Sequence, residues 1–244
     1  MSRELVCMSN SSLVDYTKMS PNYTKMSNKK NRKISIHHMA GNLSVETCGD
    51  VFASKSRQAS SNYGIGTDCR VGLYVDESNR SWCTSSSSND KQAITIEVAN
   101  DGGAPDWHVS DKALSKLIEL CVDICKRNKI EKLKFTGDKT GNVTLHKWFA
   151  NTNCPGPYLE SKIPYVVKEV NKRLSKSNVE TKFVPYKVKV TANALNIRDG
   201  AGTNYKINGV ITDKGVYTIV DSKNGFLKLK SGAGWISEKY VKKV

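Results

Sequence analysis

At 244 residues the chain has room for one or two ordinary domains, and a hydrophobic content of 38% is enough to bury a core. Its 38 lysines and arginines against 23 aspartates and glutamates leave a formal charge of +15, which favours a polyanionic partner or simply keeps the surface solvated. Seven cysteines, Cys7, Cys48, Cys69, Cys83, Cys121, Cys125 and Cys154, form an odd set without dense spacing, so a fully paired disulfide scaffold is excluded.

Residues 1–32 are polar, and Tyr16-Thr17-Lys18-Met19-Ser20 is echoed by Tyr23-Thr24-Lys25-Met26-Ser27. The echo is too short for a fold repeat, and the segment reads as an extended arm draped over the domain that follows. The opening Met1 to Cys7 lacks the apolar stretch of about seven to fifteen residues that a signal peptide needs. With no membrane-spanning run either, the chain is expected to be made in a reducing cytoplasm, without membrane insertion.

The next element is a strand, Ile34-Ser35-Ile36, ending at His37 and His38. Adjacent strand residues point to opposite faces, so one histidine of the pair would face a shared site. A second apolar strand, Ala93 to Val98, is broken by Glu97; a charge there is costly unless partnered, which sets a functional carboxylate against an ordinary strand-end one. From Ser110 to Arg127, Leu114, Leu117, Ile118, Cys121 and Cys125 mark one helical face, which makes the two cysteines core thiols. A strand at Leu133 to Thr136 and a helix from about Pro157 to Leu174 continue the alternation, predicting an α/β layer architecture: a mixed β-sheet flanked by helices.

His146 precedes Cys154 by eight residues, about 12 Å of rise on a continuous helix and too far to share one ion. Asn151-Thr152-Asn153 and the Cys-Pro-Gly-Pro turn let the chain fold back between them. Imidazole nitrogen and thiolate sulfur are ligands that Zn²⁺ favours, and three of them leave a position open for water. Spacing alone leaves a zinc site and a coincidence of polar residues both open.

Beyond a lysine-, serine- and asparagine-bearing linker at residues 175–185, the pattern changes to short alternating strands. Lys187 to Val190, Val216 to Val220 and Phe226 to Lys230 lie between glycine turns and predict a small β-barrel at residues 186–244. That stretch holds 11 lysines and arginines against 4 acids, a net 11 − 4 = +7.

Four ordered segments, Ile36-His37-His38-Met39-Ala40-Gly41, Ser61 to Gly66, Ala93 to Val98 and His146 to Pro157, resemble the zinc-dependent type 2 N-acetylmuramoyl-L-alanine amidases. The likeness covers about residues 30 to 173. It implies a catalytic domain at residues 33–174, with residues 1–32 as its arm, and zinc held by His37, His146 and Cys154. It makes Glu97 the acidic residue that orients or deprotonates water, and Thr152 a support for the developing oxyanion. Relatives often carry a tyrosine or histidine where Ser61-Asn62-Tyr63 stands here; Asn62 and Tyr63 are expected to line the substrate cleft, with simple packing in a glycine-rich strand as the other reading of Tyr63.

Leu195 to Tyr205 and Gly234-Trp235-Ile236 resemble the bacterial SH3-like domains that target cell walls. This likeness makes Asn196, Arg198, Tyr205 and Trp235 candidate wall contacts, with a core position as the other reading of Trp235. Together the resemblances imply a peptidoglycan hydrolase of the phage endolysin kind, made without a signal peptide and acting on a Gram-positive wall after release. Teichoic acid phosphates would then attract the positive surface. A non-catalytic peptidoglycan-binding protein and a basic nucleic-acid module are the alternatives. No helix-turn-helix, paired Cys-x-x-Cys or aromatic-interleaved basic strand supports the last, so no nucleic-acid partner is expected.

Overall fold

A computed structural model describes residues 10–178 and 183–244 of the chain, which divides into two compact units, Met1–Ser177 and Asn178–Val244. The N-terminal unit runs β1 (Tyr16–Thr17), β2 (Tyr23–Thr24), β3 (Lys33–His38), α1 (Val45–Ala53), β4 (Tyr63–Ile65), β5 (Val71–Leu73), β6 (Arg80–Ser81), α2 (Ser87–Asp90), β7 (Ala93–Val98), α3 (Asp111–Arg127), β8 (Val143–Leu145) and α4 (Pro157–Asn178). Six strands form one mixed sheet in the order β1-β5-β4-β7-β3-β8. β3 lies next to the edge strand β8, parallel to both β7 and β8.

The alternation of side chains along those strands builds two unlike faces. Ile34, Ile36, Ile94, Ile96, Val98, Val143 and Leu145 share one buried apolar cluster with Leu114, Leu117 and Ile124 of α3 and Leu159, Ile163 and Val166 of α4. Fully burying such side chains stabilises by about 1.5–3 kcal/mol each, so this face anchors the fold. The residues between them, Ser35, Thr95 and Thr144, are buried too, but polar. Their cost is met internally: Ser35 Oγ lies 2.7 Å from Thr144 Oγ1, Ser61 Oγ donates to Thr95 Oγ1 at 3.1 Å, and Asn89 Nδ2 donates to Ser35 Oγ at 2.9 Å. Continuing along this polar face leads to His37 and Glu97.

The described part of the arm joins the sheet: β1 pairs in parallel with β5 at the edge. Its anchor is a buried network. Glu77, fully buried, accepts from Tyr63 Oη at 2.7 Å, from Arg127 Nη2 at 2.6 Å and from Asn128 Nδ2 at 3.0 Å. Asn10 Oδ1 accepts from the Glu77 backbone N–H and the Ser11 N–H donates to Tyr63 Oη. Residues 1–9 of the arm, including Cys7, lie outside the described residues.

One expectation about an element fails. Leu133 to Thr136 is not a strand, because side chains take its backbone groups: Asn171 bonds both the N–H and the carbonyl of Leu133, and Asn142 Oδ1 accepts from Lys134 N–H. The sheet edge is β8 instead. α4 continues to Asn178, into the stretch 175–185 read as a linker, and the division between the two units falls within that same stretch. The six described cysteines are free, and Cys121 and Cys125 are buried in the apolar core. Among the described residues no helix is long and apolar enough to cross a membrane.

The C-terminal unit is all-β: β9 (Tyr186–Val190), β10 (Leu195–Arg198), β11 (Ile207–Ile211), β12 (Val216–Lys223), β13 (Phe226–Leu229), β14 (Trp235–Ser237) and β15 (Val241–Lys243). They form one antiparallel sheet in the order β11-β10-β14-β13-β12-β9-β15. Val188, Val190, Ile219, Leu227, Leu229 and Ile236 are its core. The intervening residues, Lys187, Lys189 and Lys228 among them, face out.

Candidate active site

Three adjacent parallel strands deliver the candidate residues to one edge. His37 and His38 end β3, Glu97 sits one residue before the end of β7, and His146 follows the last residue of β8. Ligand sites in α/β sheets lie beyond such carboxyl ends. Register decides the faces. His37 is the Cα partner of Glu97, so both project from the polar face, with His37 Nδ1 4.0 Å from Glu97 Oε1.

After His146 the chain makes a single helical turn to Trp148 and reverses, and the Lys147 N–H donates to the Cys154 carbonyl at 3.1 Å. The eight-residue gap is closed by this reversal. Cys154 Sγ comes to rest 3.4 Å from His37 Nδ1, and the His37 and His146 rings lie 5.1 Å apart at 51°. One donor atom from each of His37, His146 and Cys154 lies within 4.8 Å of the others. The three open onto a cleft of ≈ 460 Å³ lined in part by His38, Cys83, Glu97, His146, Thr152 and Cys154, with His37 buried beneath.

The donor set fits zinc. Zn–N and Zn–S bonds at a tetrahedral angle put nitrogen and sulfur about 3.5 Å apart, close to the separation of His37 and Cys154. Burial, and then the neighbouring His146 and His38, push the His37 pKa well below its usual value, leaving the neutral imidazole that a metal requires. Burial, followed by the charge of Glu97, pushes the Cys154 thiol up, so a nearby cation is what would yield its thiolate. His37 Nε2, His38 Nδ1 and Glu97 Oε2 are buried without a hydrogen-bond partner, whereas buried polar atoms are as a rule satisfied.

Glu97 is the carboxyl that lies beside these donors. Burial raises its pKa to about 8, against the smaller opposing effects of the Cys83 thiol and Arg57, so it exchanges a proton near neutral pH. Thr152 Oγ1 accepts the Cys154 N–H at 3.2 Å. That bond fixes the oxygen and leaves the hydroxyl proton free to donate into the cleft. His38, on the other side of β3, meets Trp107 edge-on at 5.4 Å.

Asn62 and Tyr63 do not line the cleft. β4 pairs with β7 so that Tyr63 opposes Ile96 and Gly64 opposes Glu97, which turns the Tyr63 ring to the apolar face. Asn62, fully buried, donates to the Val75 and Asp76 carbonyls and accepts the Thr95 N–H; it is a structural pin. The position beside Glu97 must be glycine, since a Cβ on Gly64 would fall 2.7 Å from Tyr74 Cε2.

Two nearby residues escaped the sequence reading. Cys83 is buried with Sγ 3.7 Å from Glu97 Oε1, and Ser85 Oγ lies 3.5 Å from His146 Nε2. Both sit between β6 and α2, a segment whose periodicity marks nothing.

In the C-terminal unit, Arg198 and Trp235 are register partners and Asn196 lies two residues along on the same face. Arg198 is engaged internally, donating from Nη1 to the carbonyls of Thr203 and Tyr205 at 2.9 and 2.8 Å. It thereby places Tyr205, which is exposed like Asn196. Trp235 is half-buried, with Lys228 Nζ 5.8 Å from its ring centre, so it is not a core residue.

The N-terminal unit is thus an α/β protein whose sheet gathers two imidazoles, a thiol and a protonatable carboxyl at one cleft. More than half of the chain, residues 27–157, matches the family of N-acetylmuramoyl-L-alanine amidases, and the chain belongs to that family. No curated protein matches it. Among solved structures it is similar to the PlyG catalytic domain, at 17% identity and a TM-score of 0.51 over 64% of this chain and 93% of that one. It is also similar to the catalytic domain of XlyA, at 14% and 0.50 over 64% and 99%, and to AmpD, at 16% and 0.50 over 65% and 96%. At these identities the likeness is one of fold.

Proposed function

We propose that the N-terminal unit hydrolyses the amide between the lactyl group of N-acetylmuramic acid and L-alanine in peptidoglycan, using zinc held by His37, His146 and Cys154. The observation that carries this reading is the meeting of those three donors with Glu97 at the floor of one cleft. When bound, zinc lowers the pKa of water from 15.7 toward about 7 and polarises a carbonyl.

The chain's own residues do the rest. Glu97, buried and with Oε2 unpartnered, takes a proton from the attacking water and passes it to the leaving alanine nitrogen. Thr152 donates its hydroxyl proton to the carbonyl oxygen as negative charge develops there, a contribution that grows in a desolvated cleft. His146 is steadied by Ser85, the kind of outer contact that orients a ligating imidazole.

The C-terminal unit is read as an SH3-like barrel at residues 186–244 that holds the enzyme on the wall. Exposed Asn196 and Tyr205 and half-buried Trp235 would make the contacts, with Arg198 shaping their loop. Its lysines would add attraction to teichoic acid phosphates. The setting that suits both parts is a phage endolysin lysing a Gram-positive host, reaching the wall only after release from the cytoplasm.

Digestion of purified peptidoglycan, read for new amino termini and new reducing sugars, tests the proposal. New L-alanine termini without reducing ends are expected. Reducing ends would assign a glycosidase, and binding without either product would assign a recognition protein.

A further inference from the structure

The two oxygens of Glu97 are not equivalent. Oε1 receives the Cys83 thiol at 3.7 Å, whereas Oε2 is buried with no hydrogen-bond partner. The terminal torsion of a glutamate is broad, with no sharp minimum of its own. Whatever fixes this carboxyl plane must therefore be a neighbour, and Cys83 is the side chain that bonds it.

Cys83 is itself held firmly. Its backbone N–H and that of Thr84 both donate to Asp90 Oδ2 at 3.3 Å, and the Thr84 hydroxyl donates to Asp90 Oδ1 at 2.5 Å. On the other side, Trp82 N–H donates to Ser60 Oγ and Ser60 N–H donates to the Trp82 carbonyl, each at 3.0 Å. The thiol is buried and its main chain is pinned at both flanks, so Sγ cannot follow a wandering carboxyl.

A competing role is available on geometry, because donor atoms of His37, Cys83 and Glu97 also lie within 4.8 Å of one another. An ion on that trio would occupy the carboxyl that the reaction needs for proton transfer. The trio of His37, His146 and Cys154 leaves Glu97 free.

We propose that Cys83 is a positioning residue, whose S–H holds Oε1 of Glu97 so that Oε2 is presented to the reacting water. This rests on the function proposed above. Losing the bond leaves the metal donors intact and lets the carboxyl rotate, and a misplacement of about 1 Å at a reacting group can cost roughly 10²-fold in rate.

The test compares Cys83→Ala, Cys83→Ser and Glu97→Gln, with Cys83→Val replacing the alanine variant if the latter does not fold. Cys83→Ala is expected to lower kcat on peptidoglycan by about 10- to 100-fold with KM unchanged. Cys83→Ser, which keeps a donor, is expected to return to within about threefold of the parent. In cobalt-substituted protein the thiolate-to-metal absorption band should keep its intensity in both variants, since Cys154 alone supplies it. A parent-like kcat in Cys83→Ala beside an inactive Glu97→Gln would overturn the positioning role and leave the amidase reading standing. A band weakened per cobalt in Cys83→Ser would make Cys83 a ligand instead. An active Glu97→Gln would remove the reading on which the proposal rests.

Discussion

The two units handle charge in opposite ways. Every ion pair found among the described residues lies in the N-terminal unit, including the buried Glu77–Arg127 pair. The C-terminal unit has none there, and its lysines face solvent or lie over aromatic rings, as Lys228 does over Trp235 and Lys243 over Tyr186. β9 and β15 even set Lys189 directly opposite Lys242, an arrangement that disfavours the strand pair. The difference suits the two tasks proposed for them. A site built from buried polar groups needs each one fixed, whereas a surface that adheres to a polyanion needs cations left unspent.

This contrast implies effects of different size and kind. The largest belongs to the donor set: His146→Ala should lose bound zinc by metal analysis and lower amidase turnover by more than about 10³-fold, while wall adhesion is unchanged. Glu97→Gln should keep its zinc and lose about 10²- to 10⁴-fold in kcat. Wall binding lost together with turnover in either variant would dissolve the division of labour.

Stability should follow the same line. Glu77→Gln removes the buried carboxylate that Arg127, Asn128 and Tyr63 share, while Arg127 keeps its pair with Asp123, and denaturant unfolding should show a loss of about 1–3 kcal/mol. Lys29 adds a pH signature. It is buried, donates to the Asn79 and Ala93 carbonyls, and desolvation lowers its pKa to about 7 from 10.5. The unfolded chain therefore binds more protons between those values, so its contribution to stability rises as pH climbs from about 7 to 10.5 and is flat below. The rise is at most about 5 kcal/mol, and Lys29→Met should remove it from unfolding curves measured across that range.

The smallest effects belong to the C-terminal unit. Raising salt from 0.1 M severalfold should weaken its binding to purified walls, because exposed attraction is screened within about 10 Å at that concentration. Lys242→Glu should stabilise the β9–β15 pair by a few tenths of a kcal/mol yet weaken wall binding. Binding indifferent to both changes would point to a groove around Tyr205 and Trp235 as the whole of the recognition.

Much of this was legible in the residues. Apolar strands at Ile34 and Ala93 and the helical face from Leu114 to Cys125 follow from patterns that local physics enforces, whereas the gathering of His37, Glu97, His146 and Cys154 was legible only through the family resemblance, since their spacing alone left it open. What escaped depended on register and on side-chain bonds across the fold. Tyr63 reads as a cleft residue until its pairing with Ile96 turns it inward. Leu133 reads as strand until Asn171 and Asn142 take its neighbourhood's backbone groups. Cys83 carries no periodic signal, and only the carboxylate 3.7 Å away shows what it does.

The most direct measurement is the release of L-alanine amino termini from peptidoglycan by metal-free protein as zinc is titrated in. If His37, His146 and Cys154 form the working centre, release starts near zero, rises with added zinc and levels off at one equivalent per chain. Undiminished release by the metal-free protein, or a plateau unaltered in His146→Ala, would contradict that assignment.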